Sequence, residues 1–259
     1  MISGILFVPL TFGLLLPVFG FIRRKRTLSY LCLIIALTFF IMAHNTSSYD
    51  TDKPKPNSLV YFQDNDNDKS YWLSYDYELD NWNKNYFSKP LSEDKIKGLV
   101  AFDSKYGSLF KYAGETTNRA IKESLFSISK DTIIGNERSI RLCVAPQRDL
   151  NLIYGYSNSK KAFNSFGING SFPELDSISE EKLRSKNDKR LFLYWVVDEE
   201  PLEIDCTFHK DSIPNIEFIE ASYDLLENKS FNIKKRPQNT IPKPFVINDA
   251  IITKKTVKF

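Results

Sequence analysis

Histidine and cysteine are scarce in this chain, with two His and three Cys among 259 residues. A catalytic zinc takes several His, Asp, Glu or Cys ligands converging around an open position. Neither His44 nor His209 has such partners near it in the sequence. A Gly-x-Ser-x-Gly elbow is also missing, and no histidine is placed to activate a cysteine. His209 follows Cys206 by three positions, so alternation along a strand sends the two to opposite faces. No residue is therefore assigned as catalytic, cofactor-binding or metal-ligating, and no cofactor is expected. A concentrated basic surface is lacking too: of 35 Lys and Arg, four form the run Arg23-Arg24-Lys25-Arg26, and the remaining 31 are balanced by 32 Asp and Glu. Phosphate binding needs a concentrated basic face, so nucleic acid is not an expected partner.

What the chain does have is apolar sequence at its start. Met1–Ile22 and Thr27–Ala43 are two apolar runs separated only by that basic cluster. About 20 helical residues cross a bilayer core of roughly 30 Å, so residues 1–43 read as a transmembrane helical hairpin, with spans 1–22 and 27–43. Short loops rich in Lys and Arg stay in the cytoplasm, which makes 23–26 a cytoplasmic loop and everything after His44 extracytoplasmic, periplasmic or lumenal. The expected localisation is integral and multi-pass. A signal peptide places its charge before the apolar run, whereas here the charge follows it and a second apolar run comes next. A helix starting so close to Met1, with its N-terminus outside, is the expected appearance of the tail of a longer polytopic protein. A genuine two-helix protein is the alternative.

Residues 44–58 are polar and proline-bearing and read as a linker. Residues 59–259 then read as one β-rich extracytoplasmic domain, mainly β and resembling an antiparallel sandwich with short helices. A hairpin joins Leu59–Phe62 to Tyr71–Tyr75 across Asp64–Lys69, and a short helix is expected after Asp80, its cap. Further strands are expected at Leu125–Ile128, Ser139–Val144, Leu150–Tyr156, Arg190–Val197, Leu202–Phe208 and Ile216–Tyr223. Leu191–Val197 is apolar on both faces and predicts a central strand covered on both sides. Leu175–Asp188 is charged and reads as an exposed helix or insertion.

The motifs of this domain favour structural readings. Asp64–Asp68 resembles the start of a calcium loop, but Lys69 stands at the central glycine position and Tyr75 at the bidentate glutamate position, so a solvated turn is favoured. Asp198-Glu199-Glu200-Pro201 is the densest acidic cluster and also reads as a turn, against a glycosidase carboxylate pair. Trp72, Trp82 and Trp195 are core candidates, with a sugar platform as the alternative. Asn45, Asn169 and Asn228 begin glycosylation sequons. Cys32 lies in the second apolar run; Cys143 shares a face with Arg141 while Cys206 shares the apolar face of its strand, and their pairing stays open.

Several segments, in order, resemble one family. Leu59-Val60-Tyr61-Phe62, followed by Lys69-Ser70-Tyr71-Trp72-Leu73-Ser74-Tyr75-Asp76 and Leu79-Asp80-Asn81-Trp82, is similar to the region after the last membrane helix of membrane-bound zinc aminopeptidases, relatives of the endoplasmic reticulum metallopeptidase and the vacuolar membrane protease. Arg138–Leu142 and Ile168-Asn169-Gly170 resemble that family's paired strand and its V-N-G turn. Ile219-Glu220-Ala221-Ser222-Tyr223-Asp224-Leu225 is similar to its V-V-D-x-S-Y-G-L segment, with Asp224 in place of Gly. Arg236-Pro237 and Ile241-Pro242-Lys243-Pro244-Phe245 resemble its closing tail, here preceded by Lys234-Lys235.

The resemblance implies the last helices and terminal domain of such a protein, without the α/β catalytic domain that holds the metal ligands and the catalytic glutamate. It implies no enzyme activity and no transferable site residue. The expected role is a membrane-anchored, non-catalytic fragment or subunit. Its expected partners are the bilayer, other membrane helices and a zinc peptidase catalytic domain, which it would stabilise or cover, or whose peptide substrate it would contact. The alternative is an independent module binding carbohydrate or envelope polymer.

Overall fold

A computed structural model describes residues 9–16, 20, 25–87, 90–92, 95–96, 99, 108–157, 163–172 and 190–259. The chain forms two units, Met1–Lys53 and Pro54–Phe259. In the first, residues 9–16 are helical and α1 spans Lys25–Thr46. Among the described residues, Arg26–Thr46 is the one helix long and apolar enough to cross. The expected two-helix hairpin and its multi-pass localisation are therefore corrected to one candidate span near the N-terminus, a feature that a signal sequence also has. The remainder of the expected 1–22 span lies outside the described residues. Lys25 and Arg26 belong to α1 instead of a loop, because Lys and Arg are good helix formers and extend the apolar run backwards.

Within α1 the hydroxyls of Thr38 and Thr46 donate to the carbonyls of Ile34 and Met42, both at 2.9 Å, so these polar side chains are satisfied within the helix. After the helix, Asp50 accepts from the backbone N–H groups of Asp52 and Lys53 at 2.9 and 2.8 Å, shaping the linker.

The second unit is mainly β. A seven-stranded sheet runs in spatial order β4 (Tyr112–Thr116), β3 (Lys69–Ser74), β2 (Val60–Asp64), β13 (Ala250–Lys258), β11 (Asn215–Ser222), β7 (Leu152–Tyr156) and β9 (Arg190–Trp195). A four-stranded sheet runs β5 (Leu125–Ile134), β6 (Glu137–Ala145), β10 (Leu202–His209) and β8 (Ser165–Ile168). A small pair joins β1 (Lys55–Asn57) to β12 (Thr240–Pro242). The expected β2–β3 hairpin is present, and so are strands at each of the six later positions.

Three expectations change. The sheets are not purely antiparallel, since β1–β12 and β2–β13 are parallel. The linker is shorter than 44–58, because β1 pairs and Asn57 and Ser58 are fully buried. The helix after Asp80 shrinks to one 3₁₀ turn, Lys84–Tyr86; Asp80 still accepts from the N–H groups of Trp82 and Asn83, at 2.8 and 3.1 Å. Leu175–Asp188 falls entirely within 173–189, outside the described residues.

Alternation divides the large sheet into two faces. Phe62, Leu73, Tyr154, Ile219 and Ile252 share one face with Ile96 and Ile247 packed against it. On the other face Ile153, Phe192, Ile216 and Phe218 meet Ile140, Leu142, Ile204 and Phe208 of the smaller sheet, which forms the sandwich core. The close approach of β9 to β7 requires Gly155, where a Cβ would stand 2.0 Å from the Phe192 ring. Beside this core, Tyr61, Trp72 and Phe231 stack edge to face with centroids 4.7 to 5.7 Å apart.

A buried polar junction closes the end of the sheet near β1. Asp76 accepts from the Ser58 N–H at 3.0 Å, the Ser58 hydroxyl at 2.9 Å and Asn83 Nδ2 at 2.8 Å. Asn248 donates to the Asn57 carbonyl at 3.0 Å and accepts from the Leu59 N–H at 2.9 Å. Each is buried, and each has the partners that a buried polar group needs.

The alternation in β10 is as expected: Leu202, Ile204, Cys206 and Phe208 are buried. Asp205 faces outward and forms a two-pronged pair with Arg141 of β6, at 2.7 and 3.1 Å. Ile204→Asp is expected to cost about 3 kcal/mol or more by burying an unpaired carboxylate. Asp205→Asn is expected to cost much less, and its effect is expected to vanish at high salt, as for an exposed ion pair. Urea unfolding of both variants checks this; equal midpoints would show that the strand register is wrong.

Candidate functional site

The residues singled out by sequence do not converge. In the Asp64–Asp68 turn, Asp64 Oδ1 accepts from the N–H groups of Asp66 and Asn67 at 3.0 and 3.2 Å, and Asp64 Oδ2 pairs with Lys254 Nζ at 3.0 Å. Asp66 accepts from the N–H and hydroxyl of Thr256 within β13, at 3.0 and 2.6 Å, and Asp68 accepts from Asn118. These carboxylates are engaged in holding the turn. Burial alone would raise the Asp64 carboxyl, but hydrogen bonds from Asn67 and Lys254 outweigh it and hold the group below its ordinary range.

Asp198 and Glu199 lie exposed in a turn with φ of 51° and 57°, as the solvated-turn reading expects. His44 sits at the end of α1, while His209 is exposed at the end of β10, 3.6 Å from Asp211. Cys143 and Cys206 are both free. Their strands are neighbours, but Cys143 faces Glu203 in the register and Cys206 faces Ile140, three pairs away. Burial pushes the Cys206 thiol up to about 12, so it is inert at neutral pH. No group of three metal-ligating side chains occurs among the described residues.

Two features escape a reading of local sequence. The first is a buried polar seam on the sandwich side of the large sheet. Glu220 of β11, 3% exposed, continues the face of Phe218 and lies opposite Thr253 of β13, whose hydroxyl donates to Glu220 Oε2 at 3.3 Å. Arg148, from the β6–β7 connection, donates to the Ser222 hydroxyl and, at 3.4 Å, to Thr253. Ser222 in turn donates to Asp224 at 2.5 Å, and Asn228 donates to the same carboxylate at 2.6 Å. Glu220 Oε1, Ser124 Oγ and Arg148 Nε have no hydrogen-bond partner of good geometry. Burial raises the Glu220 carboxyl, and it lowers the Arg148 guanidinium against the opposing pull of Glu220 and Asp224. The seam has charge and buried hydroxyls but no nucleophile activated by a base, so it can position polar groups and does not form a catalytic constellation.

The second feature is the free edge at β9. Phe192 points into the core, whereas Leu193, Trp195 and Val197 are 38%, 62% and 62% exposed. The expectation of a central strand covered on both sides is corrected here. Among the described residues β9 is the last strand of its sheet, and the smaller sheet covers only the Phe192 face. Trp72 and Trp82 are buried as expected, which leaves Trp195 as the solvent-facing tryptophan. β5, at the edge of the smaller sheet, likewise exposes Leu125, Ile133 and Ile134. Open strand edges carry unpaired backbone groups that template pairing with another chain.

Compared with protein-family models, curated proteins and solved structures, the chain matches none.

The Glu220 carboxyl, raised from its ordinary value of 4.5 by burial, binds more protons folded than unfolded above that pH. Its contribution is fully present below pH 4.5 and is lost as pH rises towards the folded-state value. Glu220→Gln removes that slope. The stability difference, variant minus wild type, is expected to grow in favour of the variant as pH rises from 4.5, measured by urea unfolding between about pH 4 and 8. Parallel profiles would show that Glu220 does not titrate with folding.

Proposed function

We propose that this chain is a membrane-anchored, non-catalytic β domain that covers or stabilises a zinc aminopeptidase-like partner, in the manner of the terminal region that its sequence resembles. α1 is the anchor. The basic residues immediately before the span hold their end in the cytoplasm, so the β domain lies on the other side of the membrane. A cleaved signal sequence would deliver the domain to the same side but leave it soluble.

The docking role rests on the free edge at β9, where exposed Leu193, Trp195 and Val197 line an edge strand with no strand neighbour on its outer side among the described residues. Edge strands of this kind accept an extended segment of another chain through main-chain hydrogen bonds, with side-chain pockets adding specificity. Two of the segments that carry the resemblance are in contact, Lys243 Nζ donating to the Tyr75 carbonyl at 2.7 Å. Trp195 also favours the second reading, an envelope-carbohydrate module, because an exposed indole is a stacking surface for sugars.

The test is a photocrosslinker at position 193 in intact membranes. The expected product is a protein with chelator-sensitive aminopeptidase activity, and the crosslink should be lost in Trp195→Asp at unchanged Tm. A shift of Trp195 emission on adding soluble glycans, without any peptidase crosslink, would replace the first reading with the second.

A further inference from the structure

The three Asn-x-Ser/Thr sequons of the chain have unequal surroundings. A folded protein carries a glycan only where the asparagine amide nitrogen opens to solvent, because the sugars are bulky and hydrophilic. Asn45 lies within Arg26–Thr46, the candidate membrane span. Asn228 is half-buried; its Nδ2 donates to Asp224 at 2.6 Å and its Oδ1 accepts from the Ser230 N–H at 3.0 Å, so both ends of the amide are engaged.

Asn169 is placed differently. With Gly170 it forms a tight turn after β8, closed by Ile168 and Ser171, each of which donates its N–H to the other's carbonyl, at 2.9 and 2.8 Å. The φ angles are 49° at Asn169 and 77° at Gly170, the left-handed pair that favours Asn-Gly in such turns. Asn169, Gly170 and Ser171 are all exposed, and a Cβ built on Gly170 would meet no atom within 4 Å. Asn169 Oδ1 accepts from the Glu203 N–H at 2.8 Å, which orients the amide. On its other side Nδ2 makes a long contact with the Tyr194 hydroxyl, at 3.5 Å. The amide nitrogen has two hydrogens, so a sugar can replace one while the bond from Glu203 to Oδ1 is kept.

We propose that Asn169 is an N-glycosylation site, the one sequon of the three that carries a glycan. The inference rests on the membrane-anchored reading above, which puts the β domain on the extracytoplasmic side. The donor is an oligosaccharide linked through a diphosphate to a polyprenol. Asn169 Nδ2 attacks the anomeric carbon and a C–N bond forms as the C–O bond to the diphosphate breaks. The polyprenyl diphosphate leaves, and one amide proton passes to a base of the transferase.

The position gives the glycan a role. β8 is the last strand of the smaller sheet among the described residues, and an open strand edge invites pairing unless something covers it. A glycan at the end of β8 covers that edge. Tyr194, beside Asn169, packs against the sandwich core, whereas Leu193, Trp195 and Val197 alternate with it and are exposed on the other face of β9. The glycan and a segment docked on those three side chains therefore take different sides of β9.

The experiment takes the full chain from the cells that make it and compares its electrophoretic mobility before and after a peptide N-glycosidase. A downward shift is expected for the wild type, for Ser171→Thr, which keeps the sequon, and for Asn45→Gln and Asn228→Gln. No shift is expected for Ser171→Ala, which removes the sequon and leaves the Asn169 amide in place. Any shift remaining in Ser171→Ala would overturn Asn169 as the one glycosylated position. If the wild type shows no shift while sealed vesicles with their cytoplasmic face outward protect the β domain from added protease, the glycan is wrong and the topology stands. Digestion of the β domain in those vesicles would overturn the topology and the glycan together.

Discussion

The second unit depends on the insertion of β13 into the middle of the large sheet. It lies parallel to β2, in the register Ala250↔Val60 to Lys254↔Asp64, and antiparallel to β11. Without it the sheet separates into β4-β3-β2 and β11-β7-β9, neither with a partner for its exposed edge. Ala250, Ile251, Ile252 and Thr253 are all but fully buried, so this strand contributes apolar area to both faces. Its register is held at the far end by polar contacts, with Lys254 bonded to Asp64 and the Asn65 N–H donating to the Lys254 carbonyl at 3.0 Å. The aspartate-rich turn thus acts as a clamp for β13, and that explains why its carboxylates are already engaged.

The same insertion determines where buried polarity is tolerated. At one end of the strand, the junction built on Asp76, Asn83 and Asn248 receives the returning chain, and these three side chains have hydrogen bonds while Asn57 Oδ1 beside them has no partner of good geometry. Midway along, Thr253 and Glu220 face each other where the sandwich core gives way to the aromatic cluster, and the pairing is less complete. A partly satisfied buried polar network costs stability, and at the seam that cost depends on pH.

Much of this architecture is legible in local sequence. The β2–β3 hairpin follows from two aromatic-rich strands flanking an acidic turn. The face of β10 follows from strict alternation of Leu202, Ile204, Cys206 and Phe208 with polar neighbours. The opposite environments of Cys143 and Cys206 follow from the same parity, and the apolar helix from length and composition. β13 is not legible, because its second half, Lys254-Lys255-Thr256-Val257-Lys258, has the charge of a surface strand, and only its pairing with β2 and β11 reveals a central one. β9 misleads in the opposite direction: seven consecutive apolar residues suggest a covered strand, yet its place at the edge leaves Leu193, Trp195 and Val197 exposed.

The sequence by itself determined the β character of the domain, the apolar helix before it, and the faces of strands with clear alternation. These depend on residues within a few positions of one another, where backbone periodicity alone decides which side chains share an environment. Only the tertiary structure decided the strand order, the two parallel pairings and the Arg148–Glu220–Thr253 seam. Each of these joins residues far apart in the chain, and no local pattern encodes which distant strand will supply the neighbour.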